Sequence, residues 1–243
     1  MIHRDRADRL LVARGLFESR ARAQAAIAAG RVTADGSVVR KASEEISSAA
    51  VIAAEPEHPY VSRGGVKLAA ALDHFSLDVS GRTCLDVGAC TGGFTEVLLK
   101  RGAKCVYAVD VGQGQLHPRL RGHKQILSIE QTDIRKLDSA LLPALADFAV
   151  VDVSFISLKP ILPHLDRLLA THATIVALIK PQFETNRRNL KKGIVRSTSV
   201  HAAICEDIAA AMTKLGWEPS HPFASPILGG NGNREFFIEA ERG

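Results

Sequence analysis

Thr83-Cys84-Leu85-Asp86-Val87-Gly88-Ala89-Cys90-Thr91-Gly92-Gly93-Phe94, continued to Cys105-Val106-Tyr107-Ala108-Val109-Asp110, is the stretch that decides the fold. Cys84 to Val87 is a short apolar run of the kind that buried parallel strands use. A glycine-rich turn follows from Gly88 to Gly93, and Phe94 to Leu99 has a helical pattern. A second apolar run, Cys105 to Val109, ends on Asp110. Strand, glycine turn, helix, strand and terminal acid make half of an open α/β nucleotide-binding sheet, so a Rossmann-like sheet with helices on both faces is expected.

The turn itself narrows the ligand. A dinucleotide fingerprint needs G-x-G-x-x-G, so that backbone amides close on a pyrophosphate. Here Cys90 and Thr91 stand near the place of the second glycine, and Asp86 precedes the first. A carboxylate there repels a phosphate and suits a cationic, amino-acid-bearing ligand. S-adenosylmethionine carries a sulfonium, an ammonium and a ribose, and no phosphate. Asp110, at the tip of the second strand, suits ribose hydroxyls. Asp86, Gly88, Ala89, Cys90, Gly92, Gly93, Phe94 and Asp110 are therefore candidate cofactor residues, and a turn that merely packs helix on strand is the bland alternative.

Outside this stretch, 243 residues allow one mid-sized and one small domain. A net charge of +5 permits a nucleic-acid partner without requiring one. No apolar run nears the ~20 residues a membrane helix needs, and the N-terminus from Met1 to Arg6 has no signal-peptide core. Cys84, Cys90, Cys105 and Cys205 form no C-x-x-C pair and read as buried, reduced thiols of a cytoplasmic protein. The histidines show no metal-ligand spacing, so no metal is expected.

Residues 1–60 read as a first unit. Asp8 to Arg14 and Ser19 to Ala29 are predicted helices, the first burying Leu10, Leu11 and Val12, the second Ala23, Ala26 and Ile27. A hairpin turning at Asp35-Gly36 and two short strands near Glu45-Ile46 and Val51 to Ala53 complete a small α+β module. Met1 to Lys41 holds nine basic residues against four acidic ones. Arginines clustered on a small module are the footprint of phosphate contact, although a solvated helix face would look the same.

Glu55-Pro56-Glu57-His58-Pro59 breaks regular structure and separates residues 61–243 as a second domain. A helix opens after Ser62, a possible cap, and Lys67 on it reads as a snorkelling surface lysine. Gln125 to Ile129 is a third strand. Asp133, just past it, would sit over an adenine pocket. Phe148 to Val151 is a fourth strand delivering Asp152, so Asp86, Asp110, Asp133 and Asp152 would face one crevice at the strand ends. Ile161 to Leu169 reads as a helix and Thr174 to Ile179 as a strand ending in Lys180. Arg187 to Gly193 reads as an exposed basic loop, and Ala202 to Leu215 as a helix. Trp217 to Phe223 and Glu235 to Ala240 read as closing strands.

Two resemblances extend this reading. Arg6-Ala7-Asp8-Arg9-Leu10-Leu11-Val12, Gly15-Leu16, Ser19-Arg20, Ala23, Ile27, Gly30 and Val32 resemble the small RNA-binding domain of ribosomal protein S-four. That implies binding to structured RNA, with Arg6, Arg9, Arg20, Arg22 and Arg31 as candidate contacts, joined by Arg63, Arg187 and Arg188 in the second domain. The runs S-R-G-G-x-K-L from Ser62, L-D-V-G-A-x-T-G-G-F-T from Leu85, V-x-D-V-S-F-I-S-L from Val150, L-I-K-P-Q-F-E from Leu178 and N-R-E-F-F from Asn233 resemble the TlyA (hemolysin A-like) ribosomal RNA 2′-O-methyltransferases, relatives of the FtsJ/RrmJ group. This second resemblance implies a class I methyltransferase sheet using S-adenosylmethionine on cytidine 2′-hydroxyls of ribosomal RNA. It implies a Lys-Asp-Lys-Glu catalytic set at Lys67, Asp152, Lys180 and Glu235, with Glu239 as rival for the last place. Lys180 would be the base or hydroxyl-orienting group. An RNA-binding or ribosome-assembly protein with a vestigial pocket, or a membrane-active hemolysin, are the alternatives.

Overall fold

The computed structural model describes residues 3–243, so the reading of Met1 and Ile2 lies outside the described residues. The chain divides into two compact units, Met1–Pro59 and Tyr60–Gly243.

In the first unit β1 (Arg4–Arg6) leads into α1 (Ala7–Ala13), followed by α2 (Arg20–Ala28), β2 (Val32–Ala34), β3 (Ser37–Val38), β4 (Glu45–Ser47) and β5 (Ile52–Ala54). Ser19 caps α2, its side chain accepting the Arg22 N–H. Asp35 and Gly36 both take positive φ, 48° and 77°, the geometry of a type I′ hairpin turn between β2 and β3. The core gathers Leu11, Ala23, Ala26, Ile27, Val32 and Ile46, while Val12 is only half-buried. β1, which pairs antiparallel with β4, was not foreseen, because Arg-Asp-Arg carries no strand pattern.

The second unit runs α3 (Arg63–His74), β6 (Thr83–Val87), α4 (Gly93–Lys100), β7 (Cys105–Val109), β8 (Ile126–Ile129), β9 (Ala146–Val151), α5 (Leu162–Leu165) and β10 (Leu169–Ile179). It continues through α6 (Pro181–Glu184), β11 (Leu190–Lys191), β12 (Ile194–Val195), α7 (Thr198–Lys214), β13 (Glu218–Pro219), β14 (Phe223–Ala224) and β15 (Phe236–Arg242). The main sheet has the order β13-β15-β10-β9-β6-β7-β8, with β14 also paired to β15. Strands β6 to β10 are mutually parallel and β15 is antiparallel to β10. α3 and α4 cover one face through Leu68, Leu72, Val97 and Leu98. α7 covers the other through Ile204, Ile208 and Met212. Chain order reverses between β6 and β9, the place where open α/β sheets bind ligands at their carboxyl ends.

Several expectations are corrected. Ile161 to Leu169 holds only the four-residue α5, because Pro163 opens it and the following leucines feed an eleven-residue β10. The basic segment from Arg187 is no open loop: β11 and β12 form a hairpin turned by Lys192 and Gly193, both at positive φ. Trp217 to Phe223 is two short strands around Ser220 to Pro222. Ser62 stands at the N-cap of α3 but its side chain makes no capping bond. Of the cysteines, Cys84 and Cys205 are buried, Cys105 is intermediate and Cys90 is exposed in the turn.

Candidate active site

Sheet register brings the functional side chains to one end. The pairing of Ile179 with Phe236 places Lys180, one residue past β10, opposite Glu235, one residue before β15. The pairing of Val87 with Val151 likewise places Asp152 beside Gly88. The Lys180 ammonium lies 2.6 Å from Asp152 Oδ1 and donates to Ser154 Oγ at 2.7 Å. On the other flank Lys67 Nζ donates to Glu235 Oε2 at 2.6 Å, with Glu235 only 3% exposed. Lys67 is thus a buried, paired lysine and not the snorkelling surface residue its sequence neighbours suggest. Glu235 is the acid that meets it. Glu239 lies further along β15, its backbone bonded to Ser220 Oγ, and burial raises its carboxyl pKa.

Two adjoining cavities meet at Gly88, Cys90 and Asp152; Lys67 lines the larger of them, while Lys180 and Glu235 line neither and reach them only through Asp152 and Lys67. One, of about 460 Å³, is lined by Gly88, Cys90, Asp110, Asp133, Ile134 and Asp152 among others. The second, of about 570 Å³, is lined by Ser62, Arg63, Lys67, the turn from Gly88 to Thr91, Gly93, Phe94 and Asp152. Glycine is required at the first turn position: Gly88 has φ +85°, and a Cβ there would stand 2.4 Å from the Asp152 carbonyl oxygen. Asp110 holds the turn shut, accepting the Cys90 N–H at 2.8 Å and the Gly112 N–H at 2.6 Å. A carboxylate has about four acceptor sites, so capacity for a ligand hydroxyl remains. Asp133 faces the same cavity but is forked to Arg135 at 2.5 Å, which holds its carboxyl near a pKa of about 2. The lining fits a nucleoside with a cationic tail, since the cavity's one arginine is already spent on Asp133.

Asp86 departs from the expected picture. It is fully buried beneath the turn, its Oδ2 accepting from Thr95 Oγ1 at 2.5 Å, and it lines neither cavity. Its Oδ1 has no hydrogen-bond partner among the described residues. Burial pushes its pKa up to about 7, against the Thr95 bond, which lowers it. A folded pKa above the unfolded one means that the folded state binds the extra proton. Stability should therefore fall as pH rises from about 4 to about 7 and level off above, by a few kcal/mol in all. Asp86→Asn is expected to flatten that part of the profile. Chemical denaturation of both proteins between pH 4.5 and 8 measures it, and parallel profiles would sink the assignment.

Three supporting residues are given no role by the sequence reading, although Phe155 and Glu184 lie within the runs that resemble the family. Glu96 on α4 is 5% exposed, accepts the Val61 N–H at 2.6 Å and pairs with Lys100 and Arg119, tying the entry to α3 against the turn. Glu184 accepts from Ser157 Oγ at 2.5 Å and the Leu158 N–H at 2.8 Å, pinning the loop after β9. That loop presents Phe155, 91% exposed, at φ +66° and with its ring 5.1 Å from that of Phe183. A non-glycine residue held in the left-handed region with its ring in water is characteristic of functional loops.

The arginine candidates divide. In the first unit Arg6 and Arg20 both grip Asp8, a fully buried acid also bonded by Gln24, and together they hold its carboxyl well below the usual range. Arg22 pairs with Glu18 and Arg31 with Glu55 at 3.3 Å, whereas Arg9 is exposed. In the second unit Arg63 donates to the Leu228 carbonyl, and Arg187 and Arg188 are exposed. Among the described residues no cluster of three or more His, Cys, Asp or Glu side chains is arranged for a metal, and no helix is long and apolar enough to cross a membrane.

A parallel sheet with helices on both faces, an antiparallel β15 beside β10 and a glycine turn at the switch point is the architecture of a class I methyltransferase. The FtsJ-like methyltransferase family matches residues 60–242, and the S4 domain family matches residues 5–52. The chain is 42% identical over 98% of its length to the 16S/23S rRNA (cytidine-2′-O)-methyltransferase TlyA of Mycobacterium tuberculosis, covering 90% of that protein. It is 37% identical over 95% of its length to Hemolysin A of Brachyspira hyodysenteriae, covering 97% of it. A solved structure from Streptococcus thermophilus, provisionally named a hemolysin, superposes with a TM-score of 0.77 at 41% identity, covering all of this chain and 90% of that one. The chain belongs to the FtsJ-like methyltransferases, in the branch of the TlyA proteins.

Proposed function

We propose that the chain methylates the 2′-hydroxyl of cytidine in ribosomal RNA, with S-adenosylmethionine as donor. The observation that carries this reading is the pair of lysine–carboxylate contacts, Lys67–Glu235 and Lys180–Asp152, at the end of the sheet where Asp152 lines a nucleoside-sized cavity whose arginine is spent on Asp133. The name of the Mycobacterium tuberculosis relative supplies the cytidine and the ribosomal RNA. An RNA-binding unit in the same chain supports that substrate class and work in the cytoplasm.

The donor would supply an electrophilic methyl on a sulfonium. Gly88, Ala89, Cys90, Gly92, Gly93 and Phe94 would form its cradle, Asp110 would accept from its ribose, and Asp133 would flank the base end. Asp86 supports the cradle from below through Thr95. The reaction asks the protein mainly for alignment and removal of one proton. Lys180 would orient the hydroxyl as the ammonium that Asp152 and Ser154 hold, or accept its proton after first losing one of its own to solvent. Lys67 and Glu235 hold the ribose side. The exposed ring of Phe155 suits stacking on a base drawn out of the RNA.

Tritiated methyl transfer to ribosomal RNA from cells lacking the protein, offered as 16S and 23S separately, tests the reading. Label recovered as 2′-O-methylcytidine is the expected result. Donor binding without label in either RNA would favour a vestigial pocket.

Asp110→Ala is expected to weaken donor binding by about 1–3 kcal/mol, the scale of a lost charge-assisted hydrogen bond. Calorimetry measures it. Unchanged donor affinity with lost RNA binding would show that Asp110 serves another purpose.

A further inference from the structure

Asn233 is fully buried, and both ends of its amide are spent on a segment forty residues earlier in the chain. Its Oδ1 accepts the Val195 N–H at 3.0 Å, and its Nδ2 donates to the Gly193 carbonyl at 3.0 Å. These two backbone groups belong to the β11–β12 hairpin. The backbone of Asn233 meanwhile closes its own loop, its carbonyl accepting the Gly229 N–H at 2.8 Å. Two residues on, Glu235 meets Lys67, and its Oε1 lies so near Gly229 that a Cβ there would clash at 2.2 Å. A single side chain therefore joins the hairpin to the loop that aims Glu235.

The hairpin has the chemistry of an RNA-docking element. Arg187, Arg188, Lys191, Lys192 and Arg196 are all exposed, and no acid lies between Glu184 and Glu206. A buried, fully satisfied amide is a directional tether, because losing either bond strands a buried partner. We infer that Asn233 is a positioning residue: it couples docking of substrate RNA phosphates on the basic hairpin to the placement of Glu235 and, through it, Lys67. This rests on the RNA methyltransferase reading above.

The test is a double-mutant cycle in the full chain, comparing Asn233→Ala, the pair Lys191→Ala/Lys192→Ala, and their combination, by single-turnover methyl transfer to ribosomal RNA at saturating RNA. Misplacement of a reacting group from a distance costs up to about 10²-fold in rate. Asn233→Ala is expected to lose roughly ten- to a hundred-fold in that rate with donor affinity unchanged. In its background, removing the hairpin charges should cost little more. Independent, multiplying losses, or a near-native rate for Asn233→Ala, would overturn the coupling while leaving the activity standing. A wild-type chain that labels no RNA would overturn both. Should Asn233→Ala not fold, amide exchange of the wild-type chain decides: the Val195 and Gly229 amides should exchange more slowly with ribosomal RNA bound, and unchanged rates overturn the proposal.

Discussion

Lys180→Arg is expected to lose about 10²–10⁴-fold in single-turnover methyl transfer, the range associated with a positioned acid–base group, while still binding donor and RNA. Arginine keeps the cation beside Asp152 but cannot give up a proton in a protein, so it separates charge from proton acceptance. The site makes the substitution a fair one. Among the described residues Lys180 meets Asp152 and Ser154, and a guanidinium can satisfy both with its fork. The wild-type rate should climb with pH until the acceptor has lost its proton. An arginine variant at near-native rate with a flat pH profile would make Lys180 an electrostatic clamp and leave the proton to water. Donor affinity, read in parallel, guards against a collapsed crevice, because Asp152 also lines both cavities.

The parts of this chain that were legible beforehand are those with local causes. Apolar runs at β6, β7 and β9, each ending where a glycine or acid stops it, announce a parallel sheet, since buried strands need no alternation. Asp110 and Asp152 end their strands in plain view. What stayed hidden depends on partners far along the chain. Nothing near Lys67 shows that it is buried, because the acid that makes burial tolerable lies 168 residues away. A buried ammonium without that acid would be prohibitive, so the pairing is the whole cause of its placement. Asp8 is the same case in miniature, buried only because Arg6, Arg20 and Gln24 converge on it from another turn and helix. Asp86 misled for a different reason: strand alternation sets which face a residue takes, and its face turned toward Thr95 rather than the crevice. The family resemblance named Lys67 and Glu235 as a set, and the antiparallel register of β15 against β10 explains how residues so distant share one end of the sheet.

A chain beginning at Tyr60 is expected to keep donor binding and lose ribosomal RNA methylation. Every residue lining the two crevice cavities lies at or beyond Ser62, and the cores around the main sheet use no residue before Tyr60. The first unit has its own core, drawn from residues between Ala7 and Ala54. What its removal takes away is charge. Arg9, Arg40 and Lys41 are exposed, and Arg6 and Arg20 leave part of their guanidinium surface open while they hold Asp8. If roughly four of these meet phosphates, the affinity of the full chain for RNA falls with salt at a log–log slope of about −3.6, or about 10²-fold between 50 and 200 mM. The truncated chain should show a shallower slope, because only cations such as Arg187 and Arg188 remain. Filter binding across that salt range, with methyl transfer measured on the same preparations, reads both effects. Full-rate methylation by the truncated chain, or RNA affinity of the whole chain indifferent to salt, would mean that the basic surface of the first unit serves something other than the RNA backbone.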